Sequence, residues 1–197
     1  MHYRPCYLQN PLHNHRLQKY FRKTSEEQFL HKVRIEEVEL AIPTARFNII
    51  YQLVHIYNHL FQEGIGLRQM VDYYFVLVNN DELLVIRDTL QRELKHLGLW
   101  KFVGAVMYVL HEVLGLSEEK MIAPMDEKRG KMLLAEILNG GNFGQFDERY
   151  GFGHSSFGHN IQRLCRDLRL VRFYPAEALS EPIFRTWHFF WRMKNKK

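Results

Sequence analysis

From Thr44 onward the apolar residues of this chain fall into three-and-four spacing and hold it almost to residue 138. A β-rich fold, whose side chains alternate with a period of two, does not accommodate that pattern. Phe47, Ile50, Tyr51, Val54, Asn58 and Phe61 recur along one face up to Gly64, and Thr44 is placed to cap the helix they define. A second helix is expected from about Leu67 to Val78. Asn79-Asn80-Asp81 reads as a turn, with Asp81 capping a helix to about His96 that Gly98 stops. Trp100–Leu114 is a more apolar helix ending at Gly115, Ser117 caps a short turn before Pro124, and Asp126–Leu138 is again amphipathic. The expected fold is mainly α: a helical bundle of six to eight helices with a short N-terminal β element.

That β element belongs to residues 1–43, which read as a short α/β piece ahead of a helical domain over 44–197. His2–Leu8 is extended, and Pro5 confines it to an edge or a strand end. Leu12–Arg22 reads as a helix, and Ser25, with Gln28 three residues later, as the cap of a second short one. Val33–Leu40 is expected to be one strand, with a bulge or twist at Glu36–Glu37 where the apolar parity switches. At the other end, Asn139–His159 carries six of the chain's 12 glycines interleaved with aromatics and reads as a long functional loop. Helices are expected to follow over Ile161–Phe173, with Ile161, Leu164, Cys165 and Leu168 on one face, and over Ser180–Met193, with Pro182 in its first turn.

Bulk composition excludes several classes of function. With 46% hydrophobic and 25% charged residues, the chain is an ordinary globular sequence. Its net charge of +5 is modest, and its densest basic run is the tail Arg192–Lys197, so nucleic acid is not indicated as a partner. Cys6 and Cys165 lack any CxxC context and are expected to be free thiols. There is no transmembrane-length apolar run and no signal-like leader, which points to the cytoplasm.

Polar residues gather around the corner between the first two long helices. His55 and His59 are four apart and share a helical face. A metal there would need a third ligand, from Glu63 or Asp72, and Ile56 after the first histidine excludes the zincin arrangement. The preferred reading is a hydrogen-bonded pair bracing the helices, with no metal assigned. Gly64-Ile65-Gly66 permits a sharp corner, and the first amides of the next helix point back toward it, where an anion can sit. Arg68 and Asp72 are also four apart. As an exposed pair they are worth a few tenths of a kcal/mol; gathered with the histidines they make a polar brace or a phosphate site. Arg163, Arg166, Arg169 and Arg172 step three apart, spread over half a helix circumference, and read as a solvated face. Phe184, Trp187, His188 and Trp191 form a face expected to dock on the domain's own core. No nucleophile elbow, Walker loop or Rossmann fingerprint is present.

The segment HIYNHLFQEGIGLRQMVDYYFVL resembles the C-terminal helical region of an uncharacterised nucleotidyltransferase family, common in Bacteroidetes and related to the polymerase-β superfamily. HYRPCYLQNPL, IPTARFN, NGGNFGQFDERYG and YPAEAL with PIFRTWHFFWR fit the same resemblance, which thus spans nearly the whole chain. The resemblance implies a catalytic region with a Gly-Ser turn, Asp-x-Asp on a strand and a third carboxylate, holding two Mg²⁺ ions against a nucleoside triphosphate. These residues contain no Gly-Ser and no Asp-x-Asp, and Met1 stands where the family commonly has an acidic residue. Glu37 and Glu39 are read as solvent-facing.

The expectation is therefore the C-terminal helical part of a nucleotidyltransferase-like protein, cut or encoded short and inactive as this chain. Mg²⁺ and NTP are expected only for the complete enzyme, and the implied partner is the missing N-terminal catalytic region. His55, His59, Arg68 and Asp72 would line or brace one wall of its cleft, with Asn142 and Phe143 in the glycine-rich loop. A homodimer through the N-terminal strand is a further expectation. The competing reading is a non-enzymatic interaction domain for a protein or nucleic acid.

Overall fold

The computed structural model describes residues 6–62, 64–140 and 164–194. They form a mainly helical fold with one small antiparallel sheet near the N-terminus. The first helix, α1 (Pro11–Leu30), starts where Asn10 Oδ1 accepts the backbone amides of Leu12 and His13 and Pro11 fills the first turn. It runs unbroken, so the expected second helix capped by Ser25 does not exist. The Ser25 hydroxyl donates back to the Arg22 carbonyl inside the same helix.

The single strand predicted over Val33–Leu40 is instead a hairpin, β1 (Lys32–Ile35) and β2 (Val38–Ala41), with Ile35 opposite Val38 and Val33 opposite Leu40. The parity switch at Glu36–Glu37 is a two-residue turn, not a bulge. Glu36 takes φ 54° there, which favours glycine. The amide of Ile42 donates to the carbonyl of His31 and closes the hairpin base.

Thr44 then caps α2 (Ala45–Gln62), its Oγ1 accepting the Phe47 amide and its own amide held by Gln28 Oε1. After the glycine corner come α3 (Leu67–Val78), α4 (Leu83–His96) and α5 (Trp100–Leu114), close to the expected boundaries. The start of α4 is held by Asn80, whose Oδ1 accepts the Glu82 amide, rather than by Asp81. Gly98 and Gly115 end α4 and α5 with φ 78° and 69°. A 3₁₀ turn (Glu118–Lys120) leads to α6 (Glu127–Gly140).

Helix α5 is the axis of the core: from Phe102 to Leu110 only Tyr108 is not fully buried. Gly130 of α6 lies against the Tyr108 side chain, with no room there for a methyl. Tyr57 and Phe61 of α2, Phe102 of α5 and Tyr174 form one aromatic cluster, with Tyr57 and Phe102 ring centroids 4.4 Å apart.

The last two helices differ most from expectation. In α7 (residues 164–170) the buried side is Arg166, Asp167 and Leu170, while Leu164 and Leu168 are exposed. The reading of the four arginines as solvated therefore fails for Arg166, which is buried; Arg169 pairs with Glu136 at 3.1 Å, and Arg172 is exposed. Helix α8 (Pro175–Lys194) begins five residues earlier than predicted and carries Pro182 in its interior. Phe184 packs on Tyr7, but Trp187 and Trp191 are about half exposed, so that face docks only in part. Both cysteines are free, and burial pushes the Cys6 thiol up to about 12. Among the described residues no helix is long and apolar enough to cross a membrane.

Candidate functional site

One face of α2 carries a ladder of rings. Phe47, Tyr51, His55 and His59 follow at intervals of four, the spacing that stacks side chains along a helix. Phe47 and Tyr51 lie 6.2 Å apart and nearly parallel, as do Tyr51 and His55 at 6.3 Å. The opposite face of the helix, including Ile49, Leu53, Ile56 and Leu60, is buried, which fixes the ladder toward the outside.

The ladder ends in the two histidines. Their Nε2 atoms are 3.1 Å apart with the rings at 89°, so one imidazole N–H donates to the other's ring nitrogen. His55 is exposed and His59 half-buried. Such a pair can present a donor to a phosphate or a lone pair to a metal, depending on its protonation.

Beyond it the chain turns. Gly64 donates to the His59 carbonyl at 2.7 Å and takes φ 94°, a conformation that needs glycine. Gly66 is extended and does not need it; its amide is held by Gln69 Oε1 at 3.1 Å. Ile65, between them, is buried and pins the corner to the core. Arg68 and Asp72 follow on α3, both exposed, and among the described residues no hydrogen bond or ion pair joins them to each other or to the histidines. The structure thus brings His55 and His59 together and leaves Arg68 and Asp72 on the adjoining helix, open to solvent. Glu63, Arg163 and the glycine-rich stretch 141–159, with Asn142 and Phe143, lie outside the described residues.

Two sets of contacts tie the segment before α1 to the rest of the fold, and sequence reasoning missed both. Asn58 Nδ2 donates to the Tyr7 carbonyl at 2.7 Å and Gln62 Nε2 to the Tyr7 hydroxyl at 3.0 Å, so α2 clamps the segment before α1. The signal was a polar Asn58 at a position where the helical period calls for an apolar residue. Glu177 is buried, and its Oε2 accepts the amides of Gln9 and Asn10 at 2.7 and 2.9 Å while its Oε1 lies 2.9 Å from His13 Nδ1. It joins the first turn of α8 to the start of α1 across 168 residues, which no local pattern reveals.

A family model described as an uncharacterised nucleotidyltransferase matches residues 6–115, more than half of the chain. The chain belongs to this nucleotidyltransferase family. The match runs from the Tyr7 segment through α1, the hairpin and α2 to the end of α5, and includes the whole histidine–glycine corner. It stops at Gly115, so NGGNFGQFDERYG and the YPAEAL helix lie beyond it. Comparison with curated proteins and with solved structures finds no match.

Proposed function

We propose that this helical fold forms one wall of a nucleotidyltransferase cleft, in which a complete protein transfers a nucleoside monophosphate from an NTP. We propose also that these 197 residues do not carry out that transfer alone. The family match over the histidine–glycine corner carries the reading.

The residues of this chain do not fit the metal pair that such chemistry uses. The sequence has no Gly-Ser and no Asp-x-Asp. Glu37 sits in the exposed hairpin turn, and Glu39 faces Lys32 at 3.5 Å on β2. Among the described residues no three of His, Cys, Asp and Glu converge. No step through Mg²⁺ is therefore assigned here. What the chain supplies is a binding wall: the planar fork of Arg68 suits a phosphate, the first amides of α3 face the same corner, and the imidazole pair adds a donor.

Pyrophosphate release tests the reading, with Mg²⁺ and each NTP in turn. The expected result is release no faster than in buffer. Mg²⁺-dependent turnover by the chain alone would overturn it and place an active site within these residues.

A further inference from the structure

We propose that His55 and His59 form a chelating site for a divalent transition-metal ion of the zinc and nickel class. The inference rests on the geometry of the pair and is independent of the nucleotide reading. Two Nε2 atoms 3.1 Å apart share a proton here, and the same separation lets both reach a single metal ion. With metal–nitrogen bonds of about 2.0–2.1 Å, that separation corresponds to a nitrogen–metal–nitrogen angle of about 98°. The value falls between the octahedral angle of about 90° and the tetrahedral one of about 109°.

The scaffold favours the same conclusion. Both histidines sit on one continuous helix whose inner face is locked in the core, so their backbones are set before any ion arrives. Tyr51 lies nearly parallel to the His55 ring, with centroids 6.3 Å apart. His55 is exposed, which gives an ion a path from solvent, and with no third side chain converging among the described residues the third ligand would be water. Imidazole nitrogen selects zinc, nickel and copper, while magnesium and calcium prefer oxygen. The site would thus be chemically separate from the Mg²⁺ that nucleotidyl transfer uses.

Equilibrium dialysis of the full chain against Ni²⁺ and Zn²⁺ at neutral pH, followed by metal analysis, tests the proposal. The chain has 11 histidines, so the readout is the difference between the unaltered protein and the His55→Gln/His59→Gln double variant. The expected result is one equivalent more metal on the unaltered protein, with affinity at least tenfold weaker in either single variant. Acidification should release that equivalent, because protons compete for the imidazoles. Mg²⁺ should show no such difference. Equal binding by the unaltered protein and the double variant overturns the proposal. If the double variant fails to fold, as read by circular dichroism, imidazole resonances of the unaltered protein decide. Ni²⁺ must then act first on His55 and His59; first action on any other histidine overturns the proposal.

Discussion

Replacing Glu177 by alanine should unfold a large part of the margin that keeps this chain folded. The carboxylate is 2% exposed and satisfies three groups at once: the amides of Gln9 and Asn10 and the Nδ1 of His13. Alanine leaves two amides without their acceptor, that of Gln9 buried and that of Asn10 partly so, at about 1–3 kcal/mol for each group that stays unsatisfied. It also strips the partner from His13. Asn10, which caps α1 through Oδ1 and reaches Ser180 through Nδ2, would lose its anchor as well. The expected loss is about 3–5 kcal/mol, from the groups left without their acceptor, and a large share of a typical total of about 5–15 kcal/mol. Glu177→Gln keeps one acceptor oxygen and should cost about 1–2 kcal/mol. Glu27→Ala, which breaks an exposed pair with Arg46, is the comparison and should cost less than about 1 kcal/mol. Urea unfolding followed by far-ultraviolet circular dichroism, with an unchanged m-value, gives all three numbers. A Glu177→Ala loss no larger than that of Glu27→Ala would refute the reasoning.

Three further outcomes are expected. Gly130→Ala gains about 1 kcal/mol of helix propensity, but the new methyl would overlap the base of the Tyr108 ring, which cannot swing away, at a cost of about 1–3 kcal/mol. Thermal unfolding should therefore show a loss, and a stabilised variant would contradict the α5–α6 packing. Burial, then the neighbouring Glu181 carboxyl, push the Asp167 carboxyl up to about 8 against the opposing pull of Arg185 and Arg166. The folded chain then keeps a proton that the unfolded chain releases above about pH 4. Stability should fall as pH rises from about 4 to about 8 and level off above, and Asp167→Asn should flatten that fall; an unaltered slope in the variant would count against it. A thiol reagent at neutral pH should label the half-buried Cys165 before the buried Cys6, which denaturant then exposes; equal native rates would contradict the burial of Cys6.

The helices from α2 to α6 were legible because each is amphipathic and ends at a turn or a glycine. The boundaries of α5 fall on the expected residues because Leu99 and Gly115 bracket a run that is apolar almost all round. The hairpin was read as one strand because Glu36-Glu37 is an improbable two-residue turn. The usual signal is Asn-Gly or Asp-Gly, and here a glutamate adopts the left-handed angle instead. The predicted start of α8 is too late because Pro182 reads as a first-turn proline, whereas Ala178 is buried upstream and the helix extends back to Pro175. The inverted face of α7 has a different cause. Arg166 and Asp167 are buried beside Glu181 and Arg185 of α8, a long-range charge cluster that outweighs the local apolar pattern.

At the corner, the i,i+4 spacing already placed His55 and His59 on one face, and the structure adds the 3.1 Å approach of their nitrogens. The glycine turn was legible as a pair of permissive residues, but only Gly64 uses that freedom. The Glu177 lock was not legible, because its partners lie at the other end of the chain.

Whether the α2–α3 corner faces nucleotide, as proposed, is read most directly by imidazole spectroscopy. The histidine-labelled chain is titrated with Mg²⁺-bound NTP and the ring resonances of its 11 histidines are followed. His55 and His59 should shift first and saturably, and Arg68→Ala should weaken the effect by about threefold or more, since a charge-assisted phosphate contact is lost. Shifts confined to other histidines, or none at all at saturating nucleotide, would contradict it.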